Sequence, residues 1–264
     1  MRRRWEYWSF LATKPEGADL VSIATELNQS RSGCHRTLLE LIGYGYVRQT
    51  QRGEYGLTTK LAAMGLSYFS KSGLVDIAQP LLQRLAGVTD ELVRLAIIDG
   101  TRLTLVAKAQ GANSGVLYGP DMGIELRLSC SAAGHAWLMT RTDEEAVEAV
   151  SRQGFGDPQH YGPRAPTTVK ALLKMLTEHR ARGFAMIRNV YAPGMSSMAA
   201  AVQRRGEEAT AAIVVAGPSI RFTEDLMMKH GQDLLRAASE LALIGSASPL
   251  LKARNLGTWG NVFE

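Results

Sequence analysis

The residues of this chain whose types and spacing suit chemistry lie near its N-terminus: Ser30, Arg31, Ser32, His35 and Arg36. On a helix that starts after Ser30, positions three and four apart are neighbours. Arg31, Ser32, His35 and Arg36 then share one face, while Cys34, Leu38, Leu41 and Ile42 take the other. Two guanidiniums, a hydroxyl and an imidazole make a face of hydrogen-bond donors with cationic charge. Arginine reaches both acceptors on a guanine edge at once, and serine or histidine donates to a base or a phosphate. Farther on, Arg48, Arg52 and Tyr55 fall in a segment that reads as a hairpin, from which they would reach phosphates or a minor groove. This is chemistry for holding a polyanion.

Signs of catalysis are missing from the sequence. It contains no GxSxG, no HExxH, no GxxxxGK[ST] and no GxGxxG after a strand, so neither an enzyme nor a cofactor is expected. The five histidines, at 35, 135, 160, 179 and 230, match no metal-ligand spacing. Cys34 and Cys130 fall in segments that read as helical and form no CxxC, which leaves a disulfide or zinc framework without support.

The elements that must position the donor face follow from periodicity. Trp5, Trp8 and Leu11 recur at helical spacing over 4–12 and predict a first helix with one buried face; Leu20, Ile23, Ala24 and Leu27 predict a second over 20–27. Ser30 is placed to cap a third helix reaching about Ile42, and 46–49 and 54–57 read as a small hairpin. Three short helices and a hairpin are the pattern of a winged helix-turn-helix. Helices are expected over 59–70 and 74–86, then strands over 92–98, 102–109, 116–118 and 125–128, with a turn at Asp99-Gly100. Helices over 131–140, 143–152 and 168–182 follow, a Gly/Pro-rich loop covering 154–166. Strands over 184–187, 197–202 and 210–216 precede a long last helix over 223–244, and the tail shows no periodicity. Strands and helices without regular alternation indicate an α+β fold.

The chain of 264 residues suits two domains, and 45% hydrophobic with 21% charged residues describes a globular protein. Of its net charge of +5, +3 falls within residues 1–60, which hold nine Lys/Arg against six Asp/Glu. That balance suits a basic N-terminal module facing a polyanion. No apolar run approaches the roughly 18 to 20 residues of a membrane span, and the aromatic, polar N-terminus is no signal region, so a cytoplasmic chain without a membrane partner is expected.

The run from Leu27 to Val47, with Ser32, His35-Arg36, Leu38 and Gly45-Tyr46, resembles the helix-turn-helix signature of the IclR family of bacterial regulators. The similarity continues through Tyr55-Gly56-Leu57, Gly65, Asp76 to Leu82, Ser131 to Ala136, Arg182 to Ala185, Ala192 to Gly194 and Ala216 to Thr223, in one order. The resemblance implies a winged helix-turn-helix over 1–58, a linker helix over 59–73, a GAF-like effector-binding domain over 74–248 and a tail over 249–264. It also implies a homodimer or homotetramer on double-stranded operator DNA, and the family's habit is repression of a catabolic operon.

Departures from the family pattern gather in the presumed effector site. Ser129 stands where the family often has His, His135 where it has Lys, Ile187 where it has Asp, Ser197 where it has Cys, and Val214 and Ala216 where it has Ser. Ser129 or Ser131 would cap a helix continuing through Ala132 and Ala133, whose first amides would take a carboxylate with no arginine required. Tyr118, Leu126, Ile187, Met195, Val214 and Ala216 would surround the rest of the ligand with apolar surface. A small carboxylic acid, an aromatic one fitting best, is the expected effector. The alternative is an enzyme or metabolite-binding module whose N-terminal helices only mediate oligomerisation; two cations and a histidine on an exposed helix face argue against it.

Overall fold

In the computed structural model, which describes residues 4–112 and 122–252, the first helix, α1 (Arg4–Ala12), buries Tyr7 and Leu11. The predicted face led by Trp5 is corrected: Trp5 is 52% exposed and Trp8 half-buried. Tyr7 and Leu11, one turn apart, face inward because the Tyr7 hydroxyl donates to Gln29 Oε1 at 2.6 Å. The second helix, α2 (Leu20–Glu26), is capped by Asp19, which accepts from the Val21 and Ser22 amides. Asn28, at φ 49°, turns the chain in the left-handed region that asparagine tolerates better than most residues. Ser30 then caps α3 (Arg31–Gly43), accepting from the Gly33 amide at 3.2 Å. Strands β1 (Val47–Gln49) and β2 (Tyr55–Leu57) pair antiparallel, Gln49 opposite Tyr55. Side chains from α1, α2, α3 and the hairpin share one core of Tyr7, Leu11, Ile23, Cys34, Leu38, Leu41, Val47 and Tyr55. Helix α4 (Thr59–Lys71) follows and buries none of its residues.

This unit ends at Lys71, and a second begins at Ser72. Its frame is a five-stranded antiparallel sheet in the order β4-β3-β7-β6-β5, built from β3 (Leu92–Asp99), β4 (Arg102–Gln110), β5 (Ala185–Arg188), β6 (Met195–Val202) and β7 (Ala211–Pro218). Every residue of β7 is buried, as both sheet faces are covered by helices. Helices α5 (Leu74–Thr89) and α10 (Gly231–Ile244) pack on one side, and α6 (Ala132–Leu138) and α8 (Val169–Arg182) on the other. Helix α7 (Asp143–Gln153) opens with a capping box, Thr142 and Glu145 each accepting the other's amide. Among the described residues no helix is long and apolar enough to cross a membrane.

Several expected elements are corrected. The hairpin turn is Gly100-Thr101, since Asp99 still pairs with Arg102; Gly100, at φ 60°, takes the first central position of the turn. Residues 125–128 do not form a strand beyond a single bridge from Glu125 to Thr104. The Leu128 amide, which a strand neighbour would need, donates instead to the Gln153 side chain at 2.7 Å. Cys130 lies in the turn before α6 rather than in a helix. The last helix is two, α9 (Glu224–Lys229) and α10, joined at His230. At Gly231 a Cβ would stand 2.6 Å from the Phe184 ring. The tail begins with order: Leu251, in a short 3₁₀ turn, is buried. The predicted strand over 116–118 lies outside the described residues.

Two histidines 44 residues apart meet on the cavity side of the sheet. The His135 Nδ1 and His179 Nε2 atoms are 3.1 Å apart, His135 Nε2 is 2.7 Å from the Ser129 carbonyl, and Arg182 Nη1 is 3.3 Å from His179 Nδ1. A carbonyl only accepts and a guanidinium only donates, so both tautomers are fixed. Arg182 donates to His179, His179 Nε2–H to His135, and His135 Nε2–H to Ser129, which ties α6 and α8 to the turn before α6. Burial lowers the His135 pKa to about 4. Burial first, then the neighbouring His135 and Arg182, lowers that of His179 to about 3.

The unfolded chain takes up protons at these sites near the ordinary value of 6.5, which the folded chain does not do until about 4 and about 3. The pair's stability is therefore full above 6.5 and falls as the pH drops toward 4 and 3. Urea unfolding midpoints measured just above pH 7 and at about pH 5 should show this loss, and a His135→Gln/His179→Gln variant should show less of it. Equal losses in the two proteins would contradict the assignment.

Candidate functional site

Two regions qualify, one in each unit. On α3, Arg31, Ser32, His35 and Arg36 are all exposed, while Cys34, Leu38 and Leu41 are buried, so the donor face points to solvent as its spacing requires. Ser30 is committed to its cap and lies 3.4 Å from the Ser32 hydroxyl. Arg48 and Arg52 are exposed on the hairpin. Among the described residues none of Arg31, Arg36, Arg48 and Arg52 takes part in an ion pair, so their four charges are uncompensated. Lys60 is held differently: its Nζ donates to the Tyr44 carbonyl at 2.7 Å and sits 4.7 Å from the Tyr46 ring centre.

Tyr55 is a correction. It is 2% exposed, in the core with Tyr7, Cys34 and Leu38, and burial raises the pKa of its hydroxyl. Side chains of a strand alternate between faces, and Tyr55 falls on the inner one. It holds the hairpin against the helices and is out of reach of any phosphate.

The second region is a cavity between the sheet and the start of α6, with about 330 Å³ of space, its mouth included. Alternate residues of the strands form its floor: Arg94 from β3, Leu105 from β4, Met195 and Ser197 from β6, and Val214 and Ala216 from β7. Ser197 sits opposite Ala216, and Val214 opposite Arg94. Leu126, Ser131, Ala132, Ala133 and Tyr191 complete the wall. Small side chains let α6 lie close: at Gly134 a Cβ would stand 2.3 Å from the Leu128 carbonyl oxygen.

The cavity thus brings together Leu126, Ser131, Ala132, Ala133, Met195, Ser197, Val214 and Ala216 of the residues read from the sequence. Ser129 does not line it, because its carbonyl accepts from His135 and its hydroxyl lies 3.4 Å from the Phe155 carbonyl. Ile187, paired with Ser197 across the strands, is buried in the core beside the cavity. Tyr118 lies outside the described residues. As expected, Ser131 caps α6, a helix of seven residues: its hydroxyl accepts from the Gly134 amide at 3.1 Å and donates to the Arg127 carbonyl at 2.6 Å.

Sequence reading missed Arg94, Leu105 and Tyr191. Arg94 had a signal, since it is the only charge inside the apolar run from Leu92 to Ile98. Cys34 and Cys130 are buried and burial raises both thiols, that of Cys130 to about 12, so neither is a nucleophile.

Residues 66–243 match the model of the bacterial transcriptional regulator IclR C-terminal family. The chain is 29% identical over 229 residues to the HTH-type transcriptional regulator BhcR of Paracoccus denitrificans, covering 86% of this chain and 80% of that one. It is 26% identical to the transcriptional repressor IclR of Escherichia coli, covering 85% and 81%. Among solved structures, IclR of Thermotoga maritima superposes with a TM-score of 0.70 at 21% identity, covering 91% of this chain and 96% of that one. An IclR homolog from Microbacterium hydrocarbonoxydans, complexed with 4-hydroxybenzoate, gives 0.69 at 18% identity, covering 88% and 92%. At these identities the structural likeness speaks for the fold. The family match spans more than half of the chain, which therefore belongs to the IclR family of bacterial transcriptional regulators.

Proposed function

We propose that the chain represses transcription by reading operator DNA through a winged helix-turn-helix over 1–58 and releasing it when a small acid fills a GAF-like domain over 74–248. The helix over 59–73 would link the two, and a C-terminal tail would cover 249–264. Supporting the division, the chain parts into its two units between Lys71 and Ser72, inside the proposed linker. The observation that carries the DNA reading is the uncompensated cationic face of α3. A solvated helix has no need of two cations and a histidine on one side, whereas a helix laid in the major groove does. Arg31, Ser32, His35 and Arg36 would face base edges, with Arg48 and Arg52 on phosphates beside them. Its place is the cytoplasm, where bacterial DNA is.

Arg36→Ala should weaken operator binding by about 1–3 kcal/mol in a gel shift with the upstream region of the gene, with the helical signal unchanged. Arg48→Ala or Arg52→Ala should instead weaken all sequences alike and lower the salt slope by about 1. Full affinity in a folded Arg36→Ala protein would remove α3 from the reading role.

A single recognition helix gives little affinity, so a homodimer or homotetramer on two half-sites is part of the proposal. Helix α4 supports it: Met64, Leu66 and Tyr68 are all more than half exposed, an apolar surface that its own unit leaves uncovered. Light scattering at micromolar concentration should show at least a dimer. A monomer that still binds its operator would overturn this.

For the effector, the supporting feature is a mostly apolar cavity with a few polar groups, the usual character of a small-molecule site. A small carboxylic acid with an aromatic body suits that lining better than a keto acid. Calorimetric titration should show benzoate-type acids preferred to pyruvate and glyoxylate, and Ala133→Leu, which fills the cavity, should abolish the binding. Preference for the keto acids, or unaltered binding in Ala133→Leu, would defeat this reading.

A further inference from the structure

The chain that leaves α3 is held by the start of α4. Gly45, at φ 73°, ends α3 with its own amide on the Ile42 carbonyl and the Tyr46 amide on that of Leu41. The carbonyls of Tyr44, Gly45 and Tyr46 follow in succession, and each accepts from a residue at the start of α4. The Lys60 ammonium donates to Tyr44 at 2.7 Å, the Thr58 hydroxyl to Gly45 at 2.6 Å and the Thr58 amide to Tyr46 at 2.9 Å. The Thr58 oxygen also accepts from the Lys60 amide at 3.2 Å, so one side chain both caps α4 and ties it down. Tyr46 carries the Lys60 ammonium on its ring, and its hydroxyl reaches Met64 Sδ, one turn farther along α4, at 3.5 Å. Because α4 buries none of its residues, these contacts, and no buried apolar face, fix its direction relative to α3.

We infer that Lys60 is a positioning residue for DNA reading: with Thr58 it locks α4 to the end of α3, so that the two helices turn as one body and the joint sets which half-site spacing an oligomer accepts. The main-chain bond of Thr58 alone would let α4 swing about it. The two side-chain bonds, to neighbouring carbonyls, take that freedom away. A cation is the suitable partner, since the carbonyl end of a helix carries partial negative charge. Lys60 is exposed, yet its ammonium is bound within the unit, which sets it apart from the arginines that face solvent on α3. The thirteen residues of α4 make it roughly 20 Å long, so a swing of about 10° at the joint carries its far end roughly 3 Å, close to the ~3.4 Å step between base pairs. A loose joint would blur one spacing into the next. The inference rests on the reading of α3 as the recognition helix of an oligomer.

The test is a gel shift of the full chain on the upstream region of the gene, and on the same fragment with one or two base pairs inserted between the half-sites that footprinting marks. Wild type should lose about 10-fold or more in affinity on insertion. Lys60→Met keeps the stem on Tyr46 and removes the donor. It should lose roughly 3- to 10-fold at the native spacing and much less on the inserted fragments, so that its preference between them shrinks. Lys60→Arg, which still donates to a carbonyl, should restore the preference. A lysine that merely met phosphate, or merely kept α3 folded, would weaken every fragment alike and leave the preference unaltered. A full preference in folded Lys60→Met therefore overturns the inference, as does a wild type that binds all spacings equally. If Lys60→Met does not fold, Thr58→Ala, which removes the bond to Gly45, must show the same loss of preference or the inference falls. Failure of wild type to bind the upstream region at all defeats the DNA reading and the inference together.

Discussion

The start of α6 sits against the turn before it because Gly134 has no side chain; a Cβ there would be 2.3 Å from the Leu128 oxygen. That close approach fixes the height of the helix over the sheet, and the height fixes the cavity. Ala132 and Ala133 then face the strands with little volume of their own, so space remains above Val214 and Ala216 that larger residues would close. The Leu128 amide, turned away from any strand, is taken by Gln153, which draws α7 to the same turn. Arg127 extends the hold by donating to the Gln153 and Gly154 carbonyls.

Such an arrangement leaves backbone groups of the turn in need of partners in a dry interior, and the histidine pair supplies one. Its chain of donors runs one way, from Arg182 to the Ser129 carbonyl, because its two ends cannot exchange roles. Neutral rings are required at both positions, and burial keeps them neutral. The same burial on the other unit shapes a different outcome. There Tyr7 and Tyr55 spend their bulk inside, pinning α1 and the hairpin to α3, and the outer face of α3 is left free of packing duties. A rigid scaffold with an unencumbered polar face is what recognition of a repeating polyanion needs.

Local chemistry was the legible part of the fold. Ser30 before a helical run, the alternation of Cys34, Leu38 and Leu41 with cations, and the apolar run of β3 each depend on neighbours in sequence, and each could be read. The errors arose where a distant partner decided. Trp5 is bulkier than Tyr7, yet Tyr7 turns inward because Gln29 offers its hydroxyl an acceptor. Tyr55 looked like a phosphate contact beside Arg52 until the facing helices claimed it for the core. The turn at Gly100-Thr101 is set by strand register, and Gly231, just after the break at His230, lies against the Phe184 ring, and no short window of sequence contains either partner. Eight residues read from the sequence line the cavity, of which only Ser197, Val214 and Ala216 came from comparison with the family pattern; Ser129 and Ile187 do not line it, and that comparison offered nothing at Arg94, where the sequence itself did show a charge in an apolar strand. No spacing rule would have joined His135 to His179 across 44 residues.

A ligand can change DNA binding only by the difference between its affinities for two states of the protein. The sheet and its helices are poor candidates for the part that changes, since both faces of β3, β6 and β7 are packed almost throughout and a close-packed interior resists small displacements. Helix α4 is the opposite case: it buries none of its thirteen residues, so little of its own packing opposes a change in its position. In an oligomer its exposed Met64, Leu66 and Tyr68 would set the spacing of two reading helices, and spacing on a fixed operator is a discrete requirement. In the proposed oligomer, a weakly packed element at that distance is where a modest difference in ligand affinity would have its largest effect on DNA binding.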